Sequence, residues 1–366
     1  MHFNRMLATA AAAALMLGSS LSAEARLITD HLGRQVDVPD QINRVVTTTI
    51  LPYASVATVF LGGAEKLVGI HPVSMSAAKS GLLSEIYPEI LKAKTDFIKG
   101  SNLNIEALMA LKPDVVFVNS GDKKMIEQIE NAGIPAVAVS ASKWDYDVLK
   151  TYDEWLALLG EVFPDHAKTD AAAAYSRQVA KTIADRTAKL TDAEKKKVLF
   201  VFQYDAKRLV TSGKHFFGQY WCNAVGAKNA AESVQADNQN AQISMEQVYK
   251  WNPDIVLVTN FTPVLPADIY ANKYNDWSHV KAVADKQVYK LPLGIYRSYT
   301  PSADTPMTLL WMAKTVYPEL FADIDLTKEV KTYYEKLYGI RLSDAQVSGM
   351  FEPHANRADG FSQSGR

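Results

Sequence analysis

The stretch from Phe163 to Leu190, FPDHAKTDAAAAYSRQVAKTIADRTAKL, limits the fold more than any other part of the chain. Pro164 and Asp165 supply a helix start, the body is rich in alanine, and Ala171, Tyr175, Val179 and Ile183 recur at a spacing that predicts one helix face. At about 1.5 Å of rise per residue such a helix would run roughly 40 Å, longer than a single domain needs internally. It reads as a strut between two bodies.

On both sides of the strut the chain makes the same pattern. Before it, a hairpin around Gly33 leads into a strand at Val45 to Thr49, a helix ended by Gly62 and Gly63, and a strand at Leu67 to Ile70. Then NIEALMALKPDVVFVNS reads as a helix closed before Pro113 and a strand from Val115 to Asn119. DKKMIEQIENAGIPAVAVS repeats helix and strand. After the strut come the strand VLFVFQ and a predicted helix from Gly218 to Val225, and then ISMEQVYKWNPDIVLVTN. This last segment overlays the earlier one: Glu106 on Glu246, Pro113 on Pro253, Asp114 on Asp254. Apolar strands alternating with helices predict an α/β fold: two Rossmann-like lobes with mostly parallel sheets joined by one long α-helix. The expected organisation is an N-terminal α/β lobe over 26–146, linking helices over 147–192 including the strut, a C-terminal α/β lobe over 193–340, and a loosely packed tail over 341–366.

The 366 residues suffice for two cores, and 39 basic against 40 acidic side chains exclude a global charge preference for nucleic acid or anionic membrane. Arg5, the apolar run Met6 to Leu17 and the small residues up to Ala25 read as a secretory signal peptide over 1–25, with cleavage after Ala23 or Ala25. Cys222 is the only cysteine, so no internal disulfide can form and no cysteine near the cleavage site can carry a lipid. Export to a periplasm as a free monomer is the expectation.

The blocks GSNLNIEALMALKPDVVFV, the strut, VTSGKHFFGQYWCNAVGAKNAAE and ISMEQVYKWNPDIVLV agree in order and spacing from about Arg26 to Gly339. In this series the chain resembles the periplasmic substrate-binding proteins of ABC importers in the long-helix class, which serve vitamin B12, ferric siderophores, haem and related metal chelates. The resemblance implies capture of a solute between the lobes, delivery to an ABC permease in the inner membrane, and permease docking through Glu106 and Glu246. Without it, both glutamates read as first-turn residues favoured by the helix dipole.

Ligands of open α/β sheets sit at the carboxyl ends of strands, so the loops there supply the candidates for an interlobe cleft. The N-terminal lobe offers Thr49, Tyr53, His71, Ser120, Trp144 and Tyr146. The C-terminal lobe offers Tyr204, Lys207, Arg208, Lys214, His215 and Phe216, then Tyr296, Arg297 and Tyr299. The set is aromatic and basic without carboxylates, which suits a bulky anionic ligand, and Arg297 between two tyrosines is its strongest member. Trp144 and Tyr146 alternatively pack on the helix starting near Asp147. An iron chelate of siderophore type is the first expectation. Haem, cobalamin, a nickel chelate and, last because the aromatic content argues against an oxyanion, molybdate or tungstate held by Thr211, Ser212 and Gly213 are the alternatives.

Seven histidines show neither the i, i+4 spacing nor a cluster with Cys or carboxylates, so no metal site and no cofactor are expected. His71 and His215 meeting across the cleft around a chelated metal is the one exception weighed. The motifs GxSxG, GxxxxGK[ST], GxGxxG after a strand and HExxH are absent, which argues against an enzyme, and Cys222 reads as a buried small hydrophobe. An exported two-domain enzyme with a site assembled from distant residues is the remaining alternative.

Overall fold

The structure is a computed structural model that describes residues 25–236 and 241–353; the segment read as a signal peptide, up to residue 24, and the last part of the tail lie outside the described residues. Two four-stranded parallel sheets form the centres of two lobes. The first runs Leu67–Gly69, Val45–Thr47, Val115–Asn119, Ala136–Val139 and the second Lys228–Asn229, Lys197–Val201, Ile255–Val258, Val288–Lys290. In chain order both read second, first, third, fourth, so the duplication seen in the sequence is a duplication of topology. A hairpin, Ala25–Thr29 with Gln35–Pro39, leads into the first lobe.

The matched segments show why the repeat is kept residue by residue. Helices Ile105–Ala110 and Met245–Trp251 are capped by the side chains of Asn104 and Ser244. Each is followed by a residue with positive φ, Lys112 at 46° and Asn252 at 43°, directly before Pro113 and Pro253. Proline disfavours the helical region for the residue before it, so the chain must leave the helix there. Asp114 then accepts from the backbone N–H groups of Asn43 and Arg44, at 2.7 and 2.9 Å, and Asp254 accepts from that of Lys197, at 2.8 Å. Each aspartate ties the start of its own strand to the start of the first strand of its lobe.

The long helix spans His166–Thr187, shorter than the predicted 163–190, because Phe163 caps the preceding helix Val148–Val162 and Asp165 caps the new one by accepting from the Lys168 N–H. Its buried stripe is Ala172, Ser176, Val179, Ile183 and Thr187; Ala171, predicted on that face, is exposed. The stripe packs on Val148–Val162 and on Thr305–Val316, so the helix is no free strut. The lobes also meet directly. One apolar cluster contains Ala78, Leu82 and Leu83 of the first lobe with Phe200, Tyr299 and Met307 of the second, and the Leu82 N–H donates to the Gly294 carbonyl at 2.8 Å.

The tail corrects the expectation of loose packing. Asp344–Phe351 is a helix with a capping box between Ser343 and Gln346, and it buries Val347 and Met350 against the second lobe, with the Leu293 N–H donating to the Met350 carbonyl at 2.9 Å.

Candidate functional site: a cavity between the lobes

A cavity of about 380 Å³ opens where the carboxyl ends of both sheets face one another. Residues 49–52, Asn119, Ala141 and Trp155 line it from the first lobe. Phe202, Phe216, Phe217, Phe261, Tyr296, Thr300 and Pro301 line it from the second. Thr49 lies just past Val45–Thr47, Asn119 ends Val115–Asn119, Phe202 follows Lys197–Val201 and Phe261 lies just past Ile255–Val258, so the lining is set by the strand ends of both lobes. Larger grooves of about 530 and 480 Å³ run beside the long helix and near Phe163, away from the carboxyl ends of the two parallel sheets. The strand-end cavity is the candidate site.

Its second-lobe wall is a set of rings in mutual contact. Phe202 lies 5.0 Å from Phe261 and 5.4 Å from Phe216, and Tyr299 lies 5.3 Å from Phe202 behind them. The Arg297 guanidinium is 5.3 Å from the Phe261 ring and 5.7 Å from the Tyr296 ring. At 2% exposure it is buried in the wall behind two lining rings. Lys290 is a second buried basic group, whose Nζ donates to the carbonyls of Thr259, Thr262 and Val264 at 2.9, 2.7 and 2.7 Å, while burial lowers its ammonium to about 7. Asp304, wholly buried, accepts from the N–H groups of Ile295 and Tyr296 at 3.1 and 3.0 Å and from the Tyr334 hydroxyl. Burial raises the Asp304 carboxyl above its ordinary range. The wall therefore holds two basic groups beside one acid, and no carboxylate is among the lining residues, although Asp122 accepts the hydroxyl of Thr49 from behind it.

Of the candidates read from sequence, Thr49, Phe216 and Tyr296 line the cavity and Arg297 backs it. The others are placed elsewhere. Tyr53 starts a helix whose first turn buries its ring 4.9 Å from Phe117 and 5.5 Å from Trp155. His71 is a helix cap: its Nδ1 accepts from the Val73 N–H and its Nε2 lies 3.1 Å from the Gly100 carbonyl, so both nitrogens are engaged inside the first lobe. With His215 exposed on the other lobe, the proposed histidine pair is not formed. Trp144 stands edge-on against His31 at 4.9 Å. Tyr146 crosses to the second lobe, 5.1 Å from Phe217, and so packs at the seam.

Tyr204 is tied to Asn275 and Trp277 through its hydroxyl, each at 2.9 Å. Arg208 pairs with Asp205 at 3.1 Å in an exposed turn beside Lys207, and Lys214 is exposed. Tyr299 is core, its hydroxyl accepting from the Gly218 N–H at 3.1 Å. Thr211 donates to the Phe200 carbonyl and Ser212 accepts from the Gly218 N–H, and both are wholly buried and outside the cavity lining. Sequence reasoning missed Asn119, Trp155, Phe202, Phe217, Phe261 and Thr300. Phe202 and Phe261 sit at equivalent strand ends of one lobe, a signal that was present. Among the described residues, no group of three His, Cys, Asp or Glu side chains could hold a metal ion.

A family model of periplasmic binding proteins matches residues 49–293, a span that begins just after the strand Val45–Thr47, carries the other strands of both parallel sheets and holds most of the lining, though not Tyr296, Thr300 or Pro301. The chain belongs to this family. It is a solute-binding protein of an ABC transporter and not an enzyme. It is 31% identical over 354 residues to the molybdate-binding protein MolA of Haemophilus influenzae, covering 89% of this chain and 95% of that one. A solved structure of MolA bound to molybdate superposes with a TM-score of 0.72 at 28% identity, covering 87% of this chain and 99% of that chain. A periplasmic solute-binding protein from Veillonella parvula superposes with a TM-score of 0.81 at 28% identity, covering 92% of this chain and 100% of that chain. Proteins of this class bind a small solute and partner with an ABC permease.

Proposed function

We propose that this periplasmic binding protein, exported by its first 25 residues, captures a small oxyanion of the molybdate and tungstate kind between its lobes. The observation that carries this reading is the charge of the site. Arg297 is buried in the wall, Lys290 stands behind the neighbouring loop, and no carboxylate is among the lining residues, Asp122 standing behind Thr49 and accepting its hydroxyl. A cation in a low-dielectric wall attracts an anion far more strongly than one in water. Of the polar lining side chains, Thr49 donates its hydroxyl to Asp122 and Thr300 donates its own to the Arg297 carbonyl, which leaves the Asn119 amide to orient oxygens. At about 380 Å³ the cavity is at the small end of ligand sites, which favours a small cargo over haem or cobalamin. The similarity to a molybdate-binding protein over most of both chains points the same way.

A second reading, a compact ferric chelate such as a citrate complex, draws on the rings of Trp155, Phe202, Phe216, Phe217, Phe261 and Tyr296, which would bury organic surface. Isothermal titration of the mature protein with molybdate, tungstate, sulfate, ferric citrate, nickel–histidine and haemin separates the two. Saturable binding of molybdate or tungstate, micromolar or tighter, is the expected result. Binding of ferric citrate alone would replace the first reading by the second, and binding of haemin alone would sink both.

For delivery, the exposed Glu106 and Glu246, each in the first turn of the equivalent helix of its lobe, are the proposed contacts to permease cations. Reversing both, Glu106→Lys with Glu246→Lys, is expected to cut uptake in cells at least tenfold while leaving ligand affinity within twofold. Uptake that survives the double reversal would remove the docking role.

A further inference from the structure

The wall that carries Arg297 is built in an unusual way. Phe261 and Tyr296, the two rings that flank the guanidinium, come from different loops, and each loop is fastened by a buried charge of opposite sign. Lys290, at the end of Val288–Lys290, reaches sideways to the loop after the neighbouring strand Ile255–Val258 and bonds three of its carbonyls, those of Thr259, Thr262 and Val264. Phe261 lies between the first two of these acceptors. An ammonium has three N–H donors and matches three carbonyls; no neutral side chain of that length does. On the other side, Asp304 places one carboxylate oxygen on the Ile295 N–H and the other on the Tyr296 N–H. Gly294, next in line, approaches so closely that a Cβ there would lie 2.2 Å from the Asp304 Oδ1.

Burying single charges in this manner is costly unless every donor and acceptor is used, so such groups mark a geometry that is held for a purpose. From this we infer that Lys290 and Asp304 are positioning residues, which clamp Arg297 between Phe261 and Tyr296 and thereby fix where the cationic side of the cavity lies. The clamp rests on the reading of the cavity as an anion site for its consequence, though not for its geometry. Arg297 cannot retreat while both loops are fastened. When either loop is released, its ring moves and the guanidinium gains room.

Two readouts test this. In the ligand-free protein, the side-chain Nε–Hε signal of Arg297, assigned by its loss in Arg297→Lys, should carry a ring-current shift that Phe261→Leu diminishes. Lys290→Met should move the same signal in a protein that still melts cooperatively. Asp304→Asn, nearly isosteric, should move it independently through Tyr296 and serves if Lys290→Met does not fold. An Arg297 signal unmoved by the charge substitutions would overturn the clamp. Titration with molybdate gives the second readout. Lys290→Met should weaken the affinity about tenfold, and combined with Arg297→Met it should weaken it no further than Arg297→Met alone, because both act on one guanidinium. Additive losses would mean that Lys290 serves the fold only. A wild-type protein that binds no oxyanion would strike the proposed cargo and leave the resonance measurement to decide the clamp.

Discussion

Gly81→Ala is expected to lower the unfolding free energy by about 2–4 kcal/mol, from overpacking together with the loss of a buried hydrogen bond. The reason is contact and not backbone conformation, since Gly81 is extended, at φ −103° and ψ −165°. A Cβ there would lie 2.4 Å from the Gly294 carbonyl oxygen, a distance real Cβ atoms do not show. That oxygen is backbone and cannot swing aside. It also accepts the Leu82 N–H at 2.8 Å, so any retreat opens the one direct backbone hydrogen bond between the lobes among the described residues. Around it, Ala78, Leu82 and Leu83 share a core with Tyr299, Ala303 and Met307. Urea denaturation checks the expectation, and a midpoint equal to that of the wild type would show that the seam yields freely. The same seam argues for limited lobe motion during capture. Two bodies that share an apolar core move by small shear, not by wide hinge opening.

The duplication was legible because the same physics acts twice. Pro113 and Pro253 end helices, Asp114 and Asp254 fasten strand starts, and Asn104 and Ser244 cap, so matching letters had matching causes. The site was less legible, for three reasons that can be named. A loop aromatic faces either ligand or core, and the choice depends on partners far away in sequence: Tyr204 is claimed by Asn275 and Trp277, and Tyr299 by Gly218. Some cues were present and outweighed. His71 directly before Pro72 is a helix-cap arrangement, and Ser343 three residues before Gln346 is a capping box, yet the tail shows so little apolar periodicity that it read as loose. Trp155, finally, reaches the cavity from the middle of Val148–Val162, where a rule that looks only at strand ends cannot find it.

His31 is expected to make the protein acid-sensitive, and the path of that sensitivity ends at the cavity. Its Nδ1 accepts the Ser140 N–H at 3.0 Å, which requires that nitrogen to be unprotonated. Burial, reinforced by the nearby Lys143 and opposed by Glu154, lowers the imidazole from its ordinary 6.5 to about 4. A folded-state value below the unfolded one means that the native state binds the proton more weakly. The stabilisation is therefore complete above about pH 6.5 and is lost as the pH falls toward 4, about 2–3 kcal/mol of it by pH 4.5. Asp153 acts in the opposite sense. Burial raises its carboxyl to about 7, so acidification relieves its cost. Comparing wild type with His31→Gln cancels that contribution, because Asp153 is present in both. Denaturation at pH 7.5 and 4.5 should show the wild type losing about 2–3 kcal/mol more than the variant between the two values; equal losses would refute the assignment. Ser140 is also the residue whose carbonyl accepts the Trp155 indole N–H, at 2.7 Å, and Ala141 beside it lines the cavity. Protonating His31 thus removes the acceptor that seats Ser140, and Ser140 seats Trp155. Loosening of the first-lobe wall by this path should accordingly begin only as the pH nears 4, where the imidazole of the folded protein takes up its proton.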